Sequence, residues 1–214
     1  MIHFVMAKIG FIYISFFLAI SIILFIVGGL LCDVLSILLF LITLFCFYFF
    51  RDPSRNVIIN ENNILSPADG TVFEISEVEE PLFIKEKVKI IKIFLSVLNV
   101  HIQRAPVSGD VKYISEQKGS FLPANHVDAS TKNTQNLIGF EGKSKILVKQ
   151  IAGIIARKCD LWAKLNQKFN QGEKIGIIHF GSQVDIYVPN NTKINVTIGQ
   201  KVKGGITILG EIGE

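Results

Sequence analysis

Two long apolar runs fill the first fifty residues, and they constrain the fold more than any other feature of the chain. They cover residues 9–27 and 34–50, with a short link from Gly28 to Asp33 between them. Each is near the lower length limit for a helix that crosses a bilayer, about 17 to 25 residues. A cleavable signal peptide is disfavoured, because no small-residue cleavage site closes the first run and a second run follows directly. We therefore expect residues 1–52 to anchor the chain in a membrane.

The two runs can be arranged in two ways: as a hairpin of two short spanning helices, or as a bent pair that lies partly in one leaflet. We prefer the hairpin. It places Lys8 on the same side as Arg51 and Arg55, and the positive-inside rule makes that side cytoplasmic. The aromatic cluster at residues 47–50 suits a membrane–water interface. We therefore predict an inner-membrane protein whose remaining domain, residues 53–214, faces the cytoplasm.

Charge and cysteine content exclude several classes of protein. The net charge is +4, with no basic run and no interleaving of aromatic and basic residues, so nucleic acid is not an expected partner. The three cysteines, Cys32, Cys46 and Cys159, form no C-x-x-C pair. This argues against a disulfide framework or a zinc site and fits a reducing compartment.

The part of the chain after residue 52 is patterned mainly as β-strands. Residues 71–78, 89–98 and 146–153 are predicted to be strands, and short glycine-turned segments follow near Gly204. The only helix predicted in this part covers residues 154–165. The predicted fold is therefore mainly β with few helices (α+β), a membrane helical hairpin followed by a β-sheet-rich, barrel-sandwich-like domain.

The Gly181–Ser182 pair lies between two predicted strands. The apolar residues at 175–178 precede it, and residues 183–188 alternate polar and apolar side chains, the pattern of a half-buried strand. A glycine in such a place commonly marks a turn or a bulge. The alternative is a peptide bond that breaks: Gly181 leaves its carbonyl unshielded, and Ser182 places a hydroxyl beside it.

Other polar residues stand at strand ends. Asp69 lies between Pro67 and Gly70, where it can serve a turn or act in catalysis. His101 follows a strand, with Arg104 three residues further on, a place where working imidazoles are often held. The basic residues Arg51 and Arg55 can anchor the end of the second helix or contact a lipid phosphate.

Four of these segments occur in a characteristic order and spacing. Together they resemble the short-form phosphatidylserine decarboxylase proenzymes, and the resemblance covers nearly the whole chain from Phe49. The segments are FFRDPSR at 49–55, SPADG at 66–70, NVHIQRAPVSG at 99–109 and FGSQVD at 180–185. Shorter matches at residues 119–121, 150–153 and 199–202 agree. Each motif alone is weak, but the ordered set is specific.

The resemblance implies a self-processing enzyme. Ser182 would attack the Gly181 carbonyl, and the chain would divide into residues 1–181 (the beta chain) and 182–214 (the alpha chain). Ser182 would become a pyruvoyl cofactor, and no metal would be used. A serine needs an oriented base, so His101 would activate Ser182 and Asp69 would orient His101. The two chains would stay together as a heterodimer or a higher oligomer.

The resemblance also implies the reaction of the mature enzyme. The pyruvoyl carbonyl would form a Schiff base with phosphatidylserine in the membrane, carbon dioxide would leave, and phosphatidylethanolamine would be released for phospholipid biosynthesis. His101 would then donate the proton to carbon. Candidates for the substrate phosphate are Arg51, Arg55 and Arg104.

One departure from the family pattern leaves the base open. Long-form members carry two histidines around the position of His101, whereas this chain has Arg104 three residues further on. His179, two residues before the scissile glycine, is a competing imidazole. An alternative of another class is a membrane-anchored barrel-sandwich adaptor or carrier without enzymatic activity. The chain lacks a Met-Lys-Met modification hairpin, which argues against that class.

Overall fold

The structure is a computed structural model that describes residues 5–123, 126, 128–154, 158–179 and 182–213. The chain divides into two compact units, Met1–Ser54 and Arg55–Glu214. Phe180 and Gly181 lie outside the described residues, so the predicted cleavage site is described only from Ser182 onwards.

The first unit is an antiparallel hairpin of two apolar helices. Its elements are β1 (Val5–Met6), α1 (Lys8–Val27), α2 (Leu30–Phe49) and β2 (Arg51–Asp52). Gly28 and Gly29 form the connection with positive φ angles of 73° and 93°, a conformation that costs other residues more than glycine. By length and composition, both helices could cross a membrane. The predicted helical hairpin is therefore confirmed.

Two serines join the helices of this hairpin. Ser21 Oγ donates to the Ser36 carbonyl at 2.9 Å, and Ser36 Oγ donates to the Ser21 carbonyl at 2.8 Å. Small hydroxyl side chains let apolar helices approach closely and bond to one another. The reciprocal pair therefore fixes the register of α1 against α2.

The second unit is built almost entirely of β-strands, with one short helix, α3 (Ala129–Lys132). Its strands are β3 (Asn63–Leu65), β4 (Gly70–Glu80), β5 (Glu86–Leu95), β6 (Ile102–Arg104), β7 (Gly109–Gln117), β8 (Gln135–Glu141), β9 (Lys145–Ala152), β10 (Cys159–Leu161), β11 (Lys168–Phe169), β12 (Lys174–Ile178), β13 (Ser182–Pro189), β14 (Lys193–Ile194), β15 (Lys201–Val202) and β16 (Ile208–Glu211).

An antiparallel sheet of eight strands, in the order β11-β7-β8-β9-β13-β5-β4-β15, curls into half of a barrel. Two sheets of three strands accompany it, β10-β12-β6 and β14-β16-β3. The main core contains the apolar side chains Val72, Ile91, Ile93, Ile146, Val148, Val184 and Ile186. The expected mainly β fold with few helices is thus confirmed.

Strand β13 lies between β5 and β9 and is hydrogen-bonded along both sides. The prediction that it is only half-buried is wrong, since every residue from Ser182 to Val188 is buried. Its polar members therefore lie inside the protein and need partners there.

The predicted helix over residues 154–165 is also wrong. Cys159–Leu161 is strand β10, which pairs with β12 so that Asp160 lies opposite Ile177. The apolar residues of this segment fit a helical period, but pairing with β12 outweighs local preference. This pairing brings Asp160 to the candidate site.

Candidate active site

Ser182 begins β13, the central strand of the large sheet. Its backbone lies opposite Leu95 of β5 on one side and opposite Ala152 of β9 on the other. The side chain is buried, and within the described part of the chain its Oγ has no hydrogen-bond partner. A buried hydroxyl without a partner carries a desolvation cost of about 1–3 kcal/mol. Such a group commonly marks a reactive position or a bound water.

His101 lies beside the strand that leads to Ser182. The N–H of Ile178, the last residue of β12, donates to the His101 carbonyl at 3.1 Å, and Ile177 pairs with Ile102 in the same sheet. Ile178 is four positions before Ser182 in the chain. The topology therefore places His101 against the segment that carries the predicted cleavage site.

The ring of His101 is oriented by a tight turn. Its Nδ1 lies 3.0 Å from the Asn99 carbonyl oxygen, which can only accept, so Nδ1 carries the hydrogen. The turn is closed because the N–H and Oγ of Ser96 both donate to Asn99 Oδ1 at 2.9 Å. In the neutral ring Nε2 is then the basic nitrogen. The side chain of His101 is buried.

A second imidazole, His179, directly follows β12 and bonds to Asp160 on the neighbouring strand β10. His179 Nε2 contacts Asp160 Oδ2 at 3.0 Å, and Lys158 Nζ contacts Asp160 Oδ1 at 2.8 Å. Burial opposes ionisation of Asp160, but the bonds from Lys158 and His179 outweigh it and lower its pKa. Burial lowers the pKa of His179, although Asp160 acts in the opposite direction. His179 is therefore neutral at pH 7, with its hydrogen on Nε2 and Nδ1 as its basic nitrogen.

Asp69 lies at the same end of the large sheet as Ser182. Thr71, the second residue of β4, pairs with Phe94 of β5, and Phe94 pairs with Gln183 of β13. Asp69 Oδ1 accepts from the Gly204 N–H at 2.8 Å, and Oδ2 forms an ion pair with Arg55 Nη2 at 2.7 Å. The structure thus brings Asp69 and Ser182 to one edge. The direct partnership of Asp69 with His101 stays a prediction.

The three candidate arginines lie in two places. Arg55 and Arg104 line a cleft of about 520 Å³, together with Lys174. Arg104 is buried, and its Nη1 donates to the Gly172 carbonyl at 3.0 Å. Arg51 belongs to the helical unit, where its Nη1 donates to the Tyr48 carbonyl at 2.7 Å and its guanidinium stacks over the Tyr48 ring.

A chain of three buried amides, the amide relay, connects the backbone of His101 with strand β10. Gln103 Nε2 donates to the His101 carbonyl at 2.7 Å, and Gln150 Nε2 donates to Gln103 Oε1 at 2.8 Å. Asn136 Nδ2 donates to Gln150 Oε1 at 3.2 Å and to the Cys159 carbonyl at 3.1 Å. The relay therefore links the backbone of His101 to the residue before Asp160.

The amide relay crosses beneath β12 at Gly176. A Cβ at this position would meet Gln150 Nε2 at 2.6 Å and the Asp160 carbonyl oxygen at 2.5 Å, both closer than real Cβ contacts. Glycine is needed here because the amide of Gln150 occupies that space. Sequence reasoning missed the relay, and the only available signal was three polar residues inside otherwise apolar strands.

A second polar cluster lies on the opposite face of β13. Gln183 Nε2 donates to Ser130 Oγ at 2.8 Å and also bonds to Asp185 Oδ1. Asp185 lies opposite Lys149 on β9 and Lys92 on β5. Burial raises the pKa of Asp185 to about 6 despite these neighbours. The cluster attaches α3 to the strand directly after Ser182.

The residues that the structure describes contain no group of three or more His, Cys, Asp and Glu side chains that could hold a metal ion. The groups that the described residues bring together here are a buried serine, two imidazoles that each have one hydrogen-bonded ring nitrogen, and a carboxylate paired with one of them. Such a set suits proton transfer to and from a serine hydroxyl.

Comparisons with known proteins show which family the chain belongs to. The family model described as phosphatidylserine decarboxylase matches residues 42–210. A phosphatidylserine decarboxylase proenzyme of Wolbachia pipientis wMel is 46% identical over 178 residues, which is 80% of this chain and 77% of the relative. The proenzyme of Carboxydothermus hydrogenoformans is 42% identical over 189 residues, 87% of this chain and 89% of the relative.

A third relative is the proenzyme of Cytophaga hutchinsonii. It is 43% identical over 180 residues, 83% of this chain and 80% of the relative. The chain belongs to the phosphatidylserine decarboxylase family, an enzyme family of decarboxylases. The resemblance seen in its motifs is confirmed, and the alternative of an adaptor without activity is not supported.

Proposed function

We propose that this protein decarboxylates phosphatidylserine to phosphatidylethanolamine and carbon dioxide with a pyruvoyl group made from its own Ser182. The observation that carries the proposal is the buried Ser182 Oγ, which has no hydrogen-bond partner within the described residues and stands where β13 begins. The names of the relatives support both parts of the proposal, the decarboxylase activity and the proenzyme state.

Maturation would proceed by attack of Ser182 Oγ on the Gly181 carbonyl carbon. The Gly181–Ser182 amide bond breaks as the ester bond forms, and the hydroxyl proton passes through a base to the released nitrogen. Removal of the Ser182 α-proton then breaks the bond between Cβ and the ester oxygen, and Gly181 leaves as a carboxylate. Hydrolysis of the resulting enamine gives the pyruvoyl group. The sequence consumes one water and releases one ammonia.

His101 is the base that we assign to the first step. The Asn99 turn fixes its hydrogen on Nδ1, so Nε2 is the atom that accepts a proton from Ser182. Its backbone is held against β12 by Ile178 and by the amide relay. Asp69, at the same edge, contributes negative charge that Arg55 partly neutralises. The pair His179 and Asp160 is the competing base.

The two products, residues 1–181 and 182–214, stay associated because cleavage leaves the sheet intact. Strand β13 remains hydrogen-bonded to β5 and to β9, and β15 remains paired with β4. The cluster of Gln183, Asp185 and Ser130 adds side-chain bonds beside the new terminus. The beta and alpha chains would therefore form a heterodimer without any further contact.

The surroundings of Ser182 fit a pyruvoyl group. Ser182 is buried, and its hydroxyl, which processing would remove, makes no hydrogen bond to the described residues. The two neighbouring strands, β5 and β9, hold the backbone of Ser182. When formed, the group supplies an electron-withdrawing carbonyl for decarboxylation. His101 would hold the proton that the product carbon receives, and the buried edge would exclude bulk water.

The cleft with Arg55 and Arg104 is the candidate site for the substrate phosphate. Arg55 Nε is buried and has no hydrogen-bond partner among the described residues, so it can still donate to an anion. Guanidinium groups suit phosphate oxygens geometrically. Arg51 instead contacts Tyr48, an arrangement that suits an anchor at the end of α2.

The substrate class explains why the chain carries an apolar helical hairpin. Phosphatidylserine stays in the bilayer, so residues 1–52 would hold the catalytic domain at headgroup depth. The basic residues Lys8, Arg51 and Arg55 support a cytoplasmic location of residues 53–214 on the inner membrane.

The test compares Ser182→Ala with the wild-type chain in detergent micelles that contain phosphatidylserine. We expect the variant to remain one chain and to release no carbon dioxide above background. Ser76→Ala is the matched control, because Ser76 lies on β4 of the same sheet and its Oγ donates to Glu74 Oε1 at 2.8 Å. It should cleave and decarboxylate normally. Release of carbon dioxide by Ser182→Ala at the wild-type rate would overturn the proposal.

A further inference from the structure

Gln183, the residue directly after the predicted cleavage site, is bonded through its side chain to α3. Successive side chains of a strand point to opposite faces, so Gln183 and Asp185 lie on the face opposite Ser182. Gln183 Nε2 donates to Ser130 Oγ at 2.8 Å and also to Asp185 Oδ1. The residue is buried, and both hydrogens of its amide are used. We call Gln183, Asp185 and Ser130 the Gln183 clamp.

Helix α3, which carries Ser130, is fixed to the sheet by other bonds as well. Asn133, the residue after α3, donates from Nδ2 to the Ala152 carbonyl at 2.9 Å, and Ala152 lies opposite Ser182. Lys149 Nζ donates to the Ser130 carbonyl at 3.1 Å. The clamp therefore joins the beginning of β13 to a segment that is already attached to the neighbouring strand β9.

The hold of the clamp on β13 depends on one atom of Gln183. The other polar atom of this side chain, Oε1, is buried and has no hydrogen-bond partner among the described residues. Every side-chain bond that the described part of the chain shows for Gln183 therefore starts from Nε2. A substitution that removes this nitrogen removes the hold on residue 183, while the backbone pairing of β13 with β5 and β9 can remain.

Cleavage would change what restrains residue 182. In the proenzyme the peptide bond to Gly181 restrains Ser182 from one side, and β13 restrains it from the other. In the mature enzyme the bond to Gly181 is broken, and the pyruvoyl group has no amide N–H because that nitrogen leaves as ammonia. The position of the group then depends on residue 183 and on the side chains that hold it.

We infer that Gln183 is a positioning residue, whose bonds to Ser130 and Asp185 hold the pyruvoyl end of the alpha chain in place for decarboxylation. This inference rests on the proposed function. The clamp lies on the opposite face from Ser182 and acts through the backbone of β13. A misplacement of about 1 Å at a reacting group can cost about 100-fold in rate. The clamp should therefore affect decarboxylation more strongly than cleavage.

The experiment compares Gln183→Met with Gln135→Met in detergent micelles that contain phosphatidylserine. Gln135 is a buried amide on the same face of the sheet, since it pairs with Ile151 and Ile151 pairs with Gln183. It lies on β8, two strands away from β13, and its Nε2 donates to Gln117 Oε1 at 2.8 Å. Each variant therefore removes one buried amide, and the two urea midpoints should be similar.

The two variants should differ in turnover. We expect Gln183→Met to lower kcat per mole of cleaved chain by about tenfold or more, with KM within about twofold of the wild type. Cleavage of its proenzyme, followed by denaturing electrophoresis over time, should slow by less than about threefold. Gln135→Met should keep kcat, KM and the rate of cleavage within about twofold of the wild type.

A double substitution tests the bond between positions 183 and 185. Gln183→Glu combined with Asp185→Asn exchanges donor and acceptor, so that the amide at position 185 donates to the carboxylate at position 183. Ser130 Oγ can then donate to the same carboxylate. This double variant should have a kcat within about threefold of the wild type, because the hydrogen bond is re-formed in the reverse direction.

Equal kcat of Gln183→Met and Gln135→Met would overturn the inference, and so would a double variant that is as slow as Gln183→Met. Cleavage of Gln183→Met that slows as much as kcat would also overturn it, because the clamp would then act on the fold of the proenzyme. A wild-type chain that releases no carbon dioxide would instead refute the proposed function.

Discussion

The Nε2 atom of His179 lies 3.0 Å from Oδ2 of Asp160. Because the carboxylate accepts, Nε2 carries the hydrogen, and the basic nitrogen of His179 is Nδ1. In His101 the Asn99 carbonyl holds the hydrogen on Nδ1, and the basic nitrogen is Nε2. The two histidines thus have opposite ring nitrogens engaged, Nε2 in His179 and Nδ1 in His101.

These opposite tautomers allow a test of which imidazole activates Ser182. His101→Asn keeps a donor near the position of Nδ1, and His179→Gln keeps a donor near the position of Nε2, so each variant preserves the observed hydrogen bond and removes the base. A general base contributes about 100-fold or more to a rate. We expect His101→Asn to slow cleavage by at least about 100-fold and His179→Gln by less than about tenfold. Cleavage is followed by denaturing electrophoresis over time.

The reverse order of these rates would assign the base to His179 and Asp160. In that case Asp160→Asn should slow cleavage as strongly as His179→Gln, because the carboxylate fixes the tautomer of the ring. Under our assignment Asp160→Asn leaves the rate of cleavage within about tenfold of the wild type.

The amide relay gives a second prediction. Gln150→Leu leaves Gln103 Oε1 and Asn136 Nδ2 short of a partner, which should destabilise the fold by about 1–3 kcal/mol. It should also slow cleavage by about tenfold or more, because the backbone of His101 loses its indirect link to β9.

Gln171→Leu is the control for this prediction. Gln171 is an equally buried amide that bonds to the Asn63 and Pro106 carbonyls and accepts from the Asn60 N–H. Gln171→Leu should lower the urea midpoint about as much as Gln150→Leu does, but it should not slow cleavage. If the two variants slow cleavage equally, the relay acts through stability alone.

The sequence predicted the strands on both sides of Ser182 because their apolar residues follow local patterns, which a chain of any topology would show. It did not predict Asp160 as the partner of His179. The two residues are separated in sequence, and only the pairing of β10 with β12, where a helix was expected, brings them together. The sequence did not predict the amide relay for the same reason, since its members, Gln103, Gln150 and Asn136, come from three strands. The alternating pattern predicts a strand with one covered face, and it cannot show that the face with Asp185 is covered as well.

Asp185 leads to a prediction about pH. Burial raises its pKa to about 6 in the folded protein, above the ordinary value of 3.8. Between these values the folded state binds more protons than the unfolded state, so this group lowers stability as pH rises from about 4 to about 6 and has no further effect above that range. The total is up to about 3 kcal/mol.

Asp185→Asn should remove this contribution. Urea midpoints of the wild type and the variant, measured in detergent, should therefore diverge in favour of the variant as pH rises from 4 to 6. Asp128→Asn serves as the control, because Asp128 is exposed and paired with Lys132. A constant difference between wild type and Asp185→Asn across this range would show that Asp185 does not titrate there.

The central claim is that Ser182 becomes the cofactor, and intact mass under denaturing conditions tests it most directly. The account predicts two chains, one ending at Gly181 and one covering residues 182–214 that is lighter by one ammonia than a fragment beginning with serine. Treatment with borohydride should reduce its terminal carbonyl and add two hydrogens to that fragment alone. A single chain of full mass from a preparation that releases carbon dioxide, or a fragment that begins with an unmodified serine, would contradict the account.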